Sequence, residues 1–167
     1  MSRAFVKEDA SGPDEDPPER PLSEHPNYAT PRGARLLQEA EERLAAELQG
    51  LSGTQEDPAR RKRKRVLERD LRYVRARLES LILVDPAAAP KDQVRFGARA
   101  TLTGADGATR VLRIVGEDEA EEGGERVPWT GPFVQALLGM KAGQTLDWDG
   151  PGGPERWTVA SIDYPLE

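Results

Sequence analysis

Apolar residues recur every three or four positions through a first segment of the chain, which is typical of an amphipathic helix. Thr30 and Pro31 precede this stripe and favour a helix start, because threonine caps free N–H groups and proline lacks one. Ser52 and Gly53 follow it and end the pattern. The predicted helix therefore begins at Thr30. Its stripe consists of Leu37, Ala40, Leu44, Leu48 and Leu51.

A second stripe alternates steps of four and three residues, which is the spacing of a coiled-coil seam. It predicts a helix from about Ala59 to Leu83. Two helices joined by a short polar connection are expected to pack antiparallel. We therefore predict a coiled-coil hairpin over residues 28–85, with a polar tip at Ser52–Arg65. The seam consists of Leu67, Leu71, Val74, Leu78 and Leu81.

Beyond a linker at residues 86–93 the hydrophobic period becomes that of β-strands. Two strand pairs flank glycine-rich turns, which is a pattern that predicts hairpins. Pro132–Leu138 predicts one short helix, ended by Gly139. The fold class is therefore α+β, with the helical hairpin followed by a small antiparallel sheet domain over residues 94–167. The predicted strands are Arg95–Thr103, Thr109–Val115, Thr145–Trp148 and Arg156–Tyr164.

Composition limits what this chain of 167 residues can do. It has no cysteine and one histidine, so neither disulfides nor Cys/His and Ser/His/Asp nucleophile systems are expected. No phosphate-binding glycine loop is present. We therefore expect no cofactor, no metal and no enzymatic activity. No apolar run is long enough for a signal or a membrane span, which favours a cytoplasmic protein, expected to be a monomer without membrane contact.

The net charge of −6 is unevenly distributed. Residues 1–27 carry three Lys/Arg against seven Asp/Glu and many prolines, which predicts a disordered acidic tail. The hairpin, by contrast, contains six consecutive basic residues, at Arg60, Arg61, Lys62, Arg63, Lys64 and Arg65. Cations at a helix N-terminus are disfavoured by the helix dipole. This run is therefore a candidate contact for RNA phosphates or for another acidic surface, with a solvated helix start as the alternative.

Four strings, in this order and spacing, resemble the bacterial transcript cleavage factors GreA and GreB. The resemblance covers about residues 27–165. A fifth string, at residues 152–159, also resembles Rnk, a relative with a short coiled coil. The strings are Asn27-Tyr-Ala-Thr-Pro-Arg-Gly33, Arg69 to Asp85, Phe96-Gly-Ala with Arg113-Ile-Val-Gly-Glu-Asp-Glu119, and Pro132-Phe-Val-Gln-Ala-Leu-Leu-Gly139, followed by Gly-Gly-Pro-Glu-Arg-Trp-Thr-Val.

The resemblance implies an FKBP-like C-terminal domain that docks at the rim of the RNA polymerase secondary channel, while the coiled coil enters it. In the family, two acidic residues at the tip help to hold a second Mg²⁺ in the polymerase active site, and backtracked RNA is hydrolysed. RNA polymerase core enzyme is thus the expected partner, with possible contact to nascent RNA. The implied docking residues are Glu117, Asp118, Glu119, Thr130 and Pro132.

The tip departs from the family pattern, because Leu51 and Gly53 stand where its acids are expected. The hairpin is also shorter by about 7 residues per arm, or roughly 10 Å at 1.5 Å per residue. Glu56 and Asp57 remain as candidate metal ligands, although Asp57 before Pro58 is also a natural helix cap. We therefore expect a polymerase-binding elongation regulator without catalytic carboxylates, which competes with other channel factors. The alternatives are an active cleavage-stimulating factor, or a peptide-binding or prolyl isomerase-like module.

Overall fold

The computed structural model describes residues 15–53 and 57–166. Two long helices come first, α1 at Pro31–Gly50 and α2 at Pro58–Glu79, and a short helix, α3, spans Pro132–Leu137. The predicted start of α1 is confirmed: the Gly33 backbone N–H donates to Thr30 Oγ1 at 3.0 Å. The start of α2 is capped in the same way, since the Arg60 N–H donates to Asp57 Oδ1 at 2.9 Å.

The helices α1 and α2 run antiparallel where residues 39–50 meet α2. Arg63 Nε donates to Glu47 Oε1 at 2.8 Å, and Arg75 Nε donates to Glu41 Oε1 at 2.9 Å. The later α1 residue, Glu47, pairs with the earlier α2 residue, Arg63, and the earlier α1 residue, Glu41, pairs with the later α2 residue, Arg75. The two helices therefore run in opposite directions. Of the predicted seam, Leu67, Leu71 and Val74 are buried.

The sheet domain is built from five strands in the order β5-β4-β3-β7-β6. Neighbours are antiparallel except β4 and β5, which pair in parallel. The register of β3 against β7 shifts between Thr101 and Leu102, as in a β-bulge. The strands are β3 Arg99–Gly104, β4 Thr109–Val115, β5 Arg126–Pro128, β6 Thr145–Gly150 and β7 Gly153–Asp163.

The apolar core of this domain lies between the sheet and α3. Its members include inward-facing residues at alternate positions of β3, together with β4, β7 and α3. Leu102, Ile114, Leu137 and Val159 are almost fully buried. The predicted α+β class, with helices before a curled, largely antiparallel sheet, is therefore confirmed.

Two short strand pairings differ from the prediction. The second helix was expected to reach Leu83, but α2 ends at Glu79, and Ile82–Leu83 forms strand β2, parallel to β1 at Tyr28–Ala29. The Ile82 N–H donates to the Asn27 carbonyl and the Val84 N–H donates to the Ala29 carbonyl, in place of helical hydrogen bonds. Strand β5, at Arg126–Pro128, was not predicted. The expected linker begins with a 3₁₀ turn, Pro86–Ala88, capped by Asp85.

The chain forms two compact units, which differ from the predicted domains. Of the described residues, one unit contains 15–22 together with 39–53 and 57–79, and the other contains 23–38 together with 80–166. The first residues of α1 thus belong with the sheet domain, because they contact it. The hairpin from Glu39 to Glu79 is an insertion within the second unit.

Residues 15–22, which we call the strap, do not match the prediction of a disordered tail. They lie along α2 through ion pairs: Glu19 accepts hydrogen bonds from Arg72, and Asp16 lies 3.6 Å from Arg65. The hydrogen bond from Arg72 holds the pKa of Glu19 below its usual range. Charge pairing with a basic helix replaces the apolar burial that the strap lacks. Residues 1–14 of the predicted tail lie outside the described residues.

No helix within the described ranges combines the length and the apolar character that crossing a membrane requires.

Candidate functional site

The acidic 3₁₀ turn Glu117–Glu119 does not present all three side chains to a partner. The Glu119 side chain is only 1% exposed. It accepts a hydrogen bond from the Thr30 hydroxyl, and Arg32 Nη1 lies 3.2 Å away. Arg126 lies 3.7 Å away on the other side. The expectation that Glu119 contacts polymerase is therefore corrected, because this carboxylate joins the start of α1 to the sheet domain.

Close packing at Gly33 keeps this network intact. A Cβ atom at residue 33 would lie 2.8 Å from Glu119 Oε2, which is closer than real Cβ contacts. Thr30 uses both of its hydroxyl functions, since it accepts from the Gly33 N–H and donates to Glu119. No local pattern along the chain indicates this network, because Thr30 and Glu119 are 89 positions apart.

Glu117 and Thr130, by contrast, do come together at the surface. Glu117 Oε1 accepts from Thr130 Oγ1 at 3.2 Å and from Ser23 Oγ at 3.0 Å. Glu117, Asp118 and Thr130 are partly exposed, and Pro132 is exposed at the first turn of α3. Four of the five predicted docking residues are thus accessible, although sequence reasoning missed Ser23. We call Glu117, Asp118, Thr130 and Pro132 the docking face.

Aromatic rings lie beside the docking face. Trp129 is partly buried against the core, and its ring makes edge-to-face contacts with Tyr28 and His25 at centroid distances of 5.1 and 5.8 Å. Tyr28 also contacts Phe96. The rings fix the loop that carries Thr130, because edge-to-face pairs restrict how each ring can turn.

The basic run lies on the first two turns of α2. Lys62, Arg63 and Lys64 are exposed, while Arg60, Arg61 and Arg65 are partly exposed. Arg63 is engaged with Glu47 of α1, and Arg60 Nη2 donates to the Leu51 carbonyl at 3.5 Å. Lys62 and Lys64 are therefore the most accessible cations of the run.

At the end of the hairpin the structure describes one of the two candidate metal ligands. Asp57 is exposed and caps α2 through one carboxylate oxygen. Glu56 lies outside the described residues. Within residues 15–53 and 57–166, no group of three or more acidic or histidine side chains could hold a metal ion. A lone carboxylate leaves most positions around Mg²⁺ to be filled by other ligands.

Comparison with known proteins identifies the sheet domain. The family model for the C-terminal domain of the transcription elongation factors GreA and GreB matches residues 89–164. Transcription elongation factor GreB of Neisseria meningitidis serogroup A is 31% identical over 105 residues, which are 62% of this chain and 64% of the relative. GreB of Pseudomonas aeruginosa is 34% identical over 101 residues, which are 60% of each chain.

Among solved structures, the elongation factor GreA/GreB from Nitrosomonas europaea is 22% identical, with a TM-score of 0.42. It is matched over 82% of this chain and 98% of that one. The chain spans less than two thirds of the length of the GreB relatives named above.

These relatives correct one prediction. The protein was expected not to be an enzyme, both from its composition and because Leu51 and Gly53 stand where the family's acids are expected. The matches to GreB contradict that expectation, since the family resemblance implies stimulation of transcript cleavage.

The proposed kinship with Rnk stays a prediction. The match to the family model spans every strand of the sheet domain, and the predicted helices precede it in the expected order. Residues 89–164 are therefore similar to the C-terminal domain of the GreA/GreB transcription elongation factors.

Proposed function

We propose that the protein binds RNA polymerase core enzyme and acts during transcript elongation. The sheet domain docks at the rim of the secondary channel, and the hairpin enters the channel. The observation that carries this proposal is the match of residues 89–164 to the GreA/GreB C-terminal domain. Further support comes from the docking face, where Glu117 and Thr130 share a hydrogen bond at an accessible position.

Docking through carboxylates at this face predicts sensitivity to charge. Glu117→Gln keeps an acceptor for Ser23 and Thr130 but removes the negative charge. We expect weaker binding to core polymerase and a smaller dependence of binding on salt, because charges at an interface rim mainly steer association. The measurement is a titration of labelled polymerase with full-length protein at several salt concentrations.

Glu122→Gln is the matched control, since Glu122 is an exposed acid of the same loop that lies outside the docking face. Equal loss of affinity in both variants would reject the docking face in favour of a general charge effect. A factor that occupies the channel also competes with a second channel factor. Failure of an excess of this protein to displace a GreB relative from polymerase would reject the channel site.

Within the channel, the basic run is suited to RNA phosphates or acidic walls. Lys62 and Lys64 are exposed on the first two turns of α2, beside the hairpin end. Long cationic side chains at that position can reach a phosphate backbone without unfolding the seam. Lys62→Gln with Lys64→Gln is expected to weaken engagement of a stalled complex while leaving docking of the sheet domain unchanged.

Stimulation of transcript cleavage is the second candidate function, favoured by the exposed Asp57 carboxylate at the start of α2. A carboxylate brought to the polymerase active site can assist a second Mg²⁺ that activates water. The assay is cleavage of labelled RNA in a backtracked complex. Asp57→Asn with Glu56→Gln should lower cleavage, because asparagine still caps the helix but carries no charge. If the unaltered protein does not raise RNA cleavage above the polymerase's own rate, this function is rejected.

A further inference from the structure

The strap binds one side of α2 in a regular way. Asp16 pairs with Arg65 and Glu19 with Arg72, so acidic residues three apart meet basic residues seven apart. Arg20 makes the opposite contact, since it lies 3.8 Å from Asp70 and its guanidinium stacks 3.7 Å from the centre of the Tyr73 ring. The strap therefore runs in the same direction as α2 and in a defined register.

This register follows from the geometry of the two segments. Pro17, Pro18 and Pro21 favour a polyproline II conformation, with three residues per turn and about 3.1 Å of rise per residue. Asp16 and Glu19 then share one face, about 9 Å apart. Seven residues of α-helix cover two turns and about 10 Å. Two acids of the strap thus match two arginines of α2 without distortion of either segment.

The surface beneath the strap is strongly basic. Helix α2 contains ten Lys/Arg against three Asp/Glu. Arg69 lies between Arg65 and Arg72 on the same side, at positions i, i+4 and i+7, and is itself paired with Asp70 at 2.9 Å. This arginine stripe continues the basic run toward the C-terminus of α2. A row of guanidinium groups along one helix face binds phosphate groups well, because each presents several N–H donors in a fixed plane.

We propose that the strap is a built-in acidic competitor, which occupies the stripe Arg65, Arg69 and Arg72 and thereby excludes single-stranded RNA from it. RNA is the occupant that the charge favours, since a continuous phosphate backbone can span both the stripe and the adjacent exposed Lys62 and Lys64. This goes beyond docking on polymerase, and its test needs no polymerase.

The strap is suited to reversible displacement. The ion pair between Arg72 and Glu19 is exposed, with these side chains at 58% and 63% exposure. Exposed pairs of this kind are weak and are screened by salt. Arg65 Nη1 is buried and has no hydrogen-bond partner within the described part of the chain, so Asp16 satisfies this guanidinium incompletely. A polyanion that supplies more phosphates can therefore replace the two acids.

The experiment measures binding of a labelled single-stranded oligouridine to the full-length protein. Asp16→Asn with Glu19→Gln removes both acids without changing side-chain size. If two arginines are freed, the slope of log affinity against log salt should steepen by about 1.4, since each phosphate contact contributes about 0.7 for single strands. Affinity should rise roughly tenfold or more at about 0.1 M salt.

The matched control is Glu15→Gln with Glu24→Gln. These exposed acids carry the same charge and form no ion pair with α2 within the residues that the structure describes. A third variant adds Arg65→Gln and Arg72→Gln to the strap variant and should abolish its gain. The proposal is overturned by an unchanged affinity of the strap variant, by an equal gain in the control, or by a gain that persists without the two arginines.

Discussion

At the scale of single residues, the buried carboxylate of Glu119 determines how the second unit is held together. It is surrounded by the Thr30 hydroxyl and by the guanidinium groups of Arg32 and Arg126. Three acids in a row at 117–119 favour an exposed loop, because acidic residues are rarely fully buried. Burial of Glu119 could not be predicted, since its partners lie on other elements.

Glu119→Gln is expected to lower the free energy of unfolding by about 1–3 kcal/mol, because two arginines then lose a buried counter-charge. Urea unfolding of the full-length protein measures this loss. Glu122→Gln, at an exposed position of the same loop, should change stability by less than about 0.5 kcal/mol. Similar losses in the two variants would show that the network contributes little.

The environment of Tyr164 leads to a prediction of how the free energy of unfolding changes at alkaline pH. Its hydroxyl donates to the Gln93 carbonyl at 2.6 Å, and burial raises the pKa of the phenol above its usual value. A phenol whose pKa is higher in the folded than in the unfolded state contributes to the free energy of unfolding. This contribution is fully present below the pKa of the unfolded chain, about 10, and is lost as the pH rises through the pKa of the folded protein. Tyr164→Phe should therefore show a smaller decrease in unfolding free energy between about pH 9 and pH 11. An identical decrease in both proteins would contradict this role.

At the scale of elements, the start of α2 depends on one side chain. Asp57 accepts from the Arg60 N–H, and its negative charge lies at the positive end of the helix dipole. Asp57→Ala should destabilise the hairpin by about 1 kcal/mol, whereas Asp57→Asn should cost only a few tenths, because asparagine caps as well. Thermal unfolding followed by circular dichroism compares the two. Equal destabilisation would indicate that the charge, rather than the cap, stabilises α2.

The regular elements were predictable because their patterns are local. The apolar stripes, the Thr30 cap and the two glycine turns each determine an element within a few residues, and the hairpins β3–β4 and β6–β7 form where predicted. The two-residue strands β1 and β2 are too short for any period to reveal. The strap escaped prediction for a different reason, since its acids meet arginines about fifty positions away.

At the scale of the whole molecule, the second unit combines the start of α1 with the sheet domain. The second unit contains Thr30 and Glu119, so it needs residues 23–38 as well as residues 80–166. The predicted docking domain, residues 94–167, omits that first segment. Polymerase binding by the sheet domain should therefore require the start of α1.

Replacing residues 39–79 with a short Gly/Ser turn should leave the second unit folded and able to bind polymerase. A chain that begins at Ser80 should unfold at a lower temperature, because Glu119 loses the Thr30 hydroxyl and the Arg32 guanidinium. Circular dichroism and a polymerase pulldown test both chains. Equal stability of the two chains would show that residues 23–38 are dispensable.

The contact between Thr30 and Glu119 also sets an order of events on the ribosome. The two residues are 89 positions apart, and translation adds about 5–20 residues per second. Glu119 is therefore synthesised about 4–18 s after Thr30, and synthesis of all of α2 is complete before that. The inserted hairpin can thus form during synthesis, whereas the unit into which it is inserted closes only after β4 and the turn beyond it have emerged.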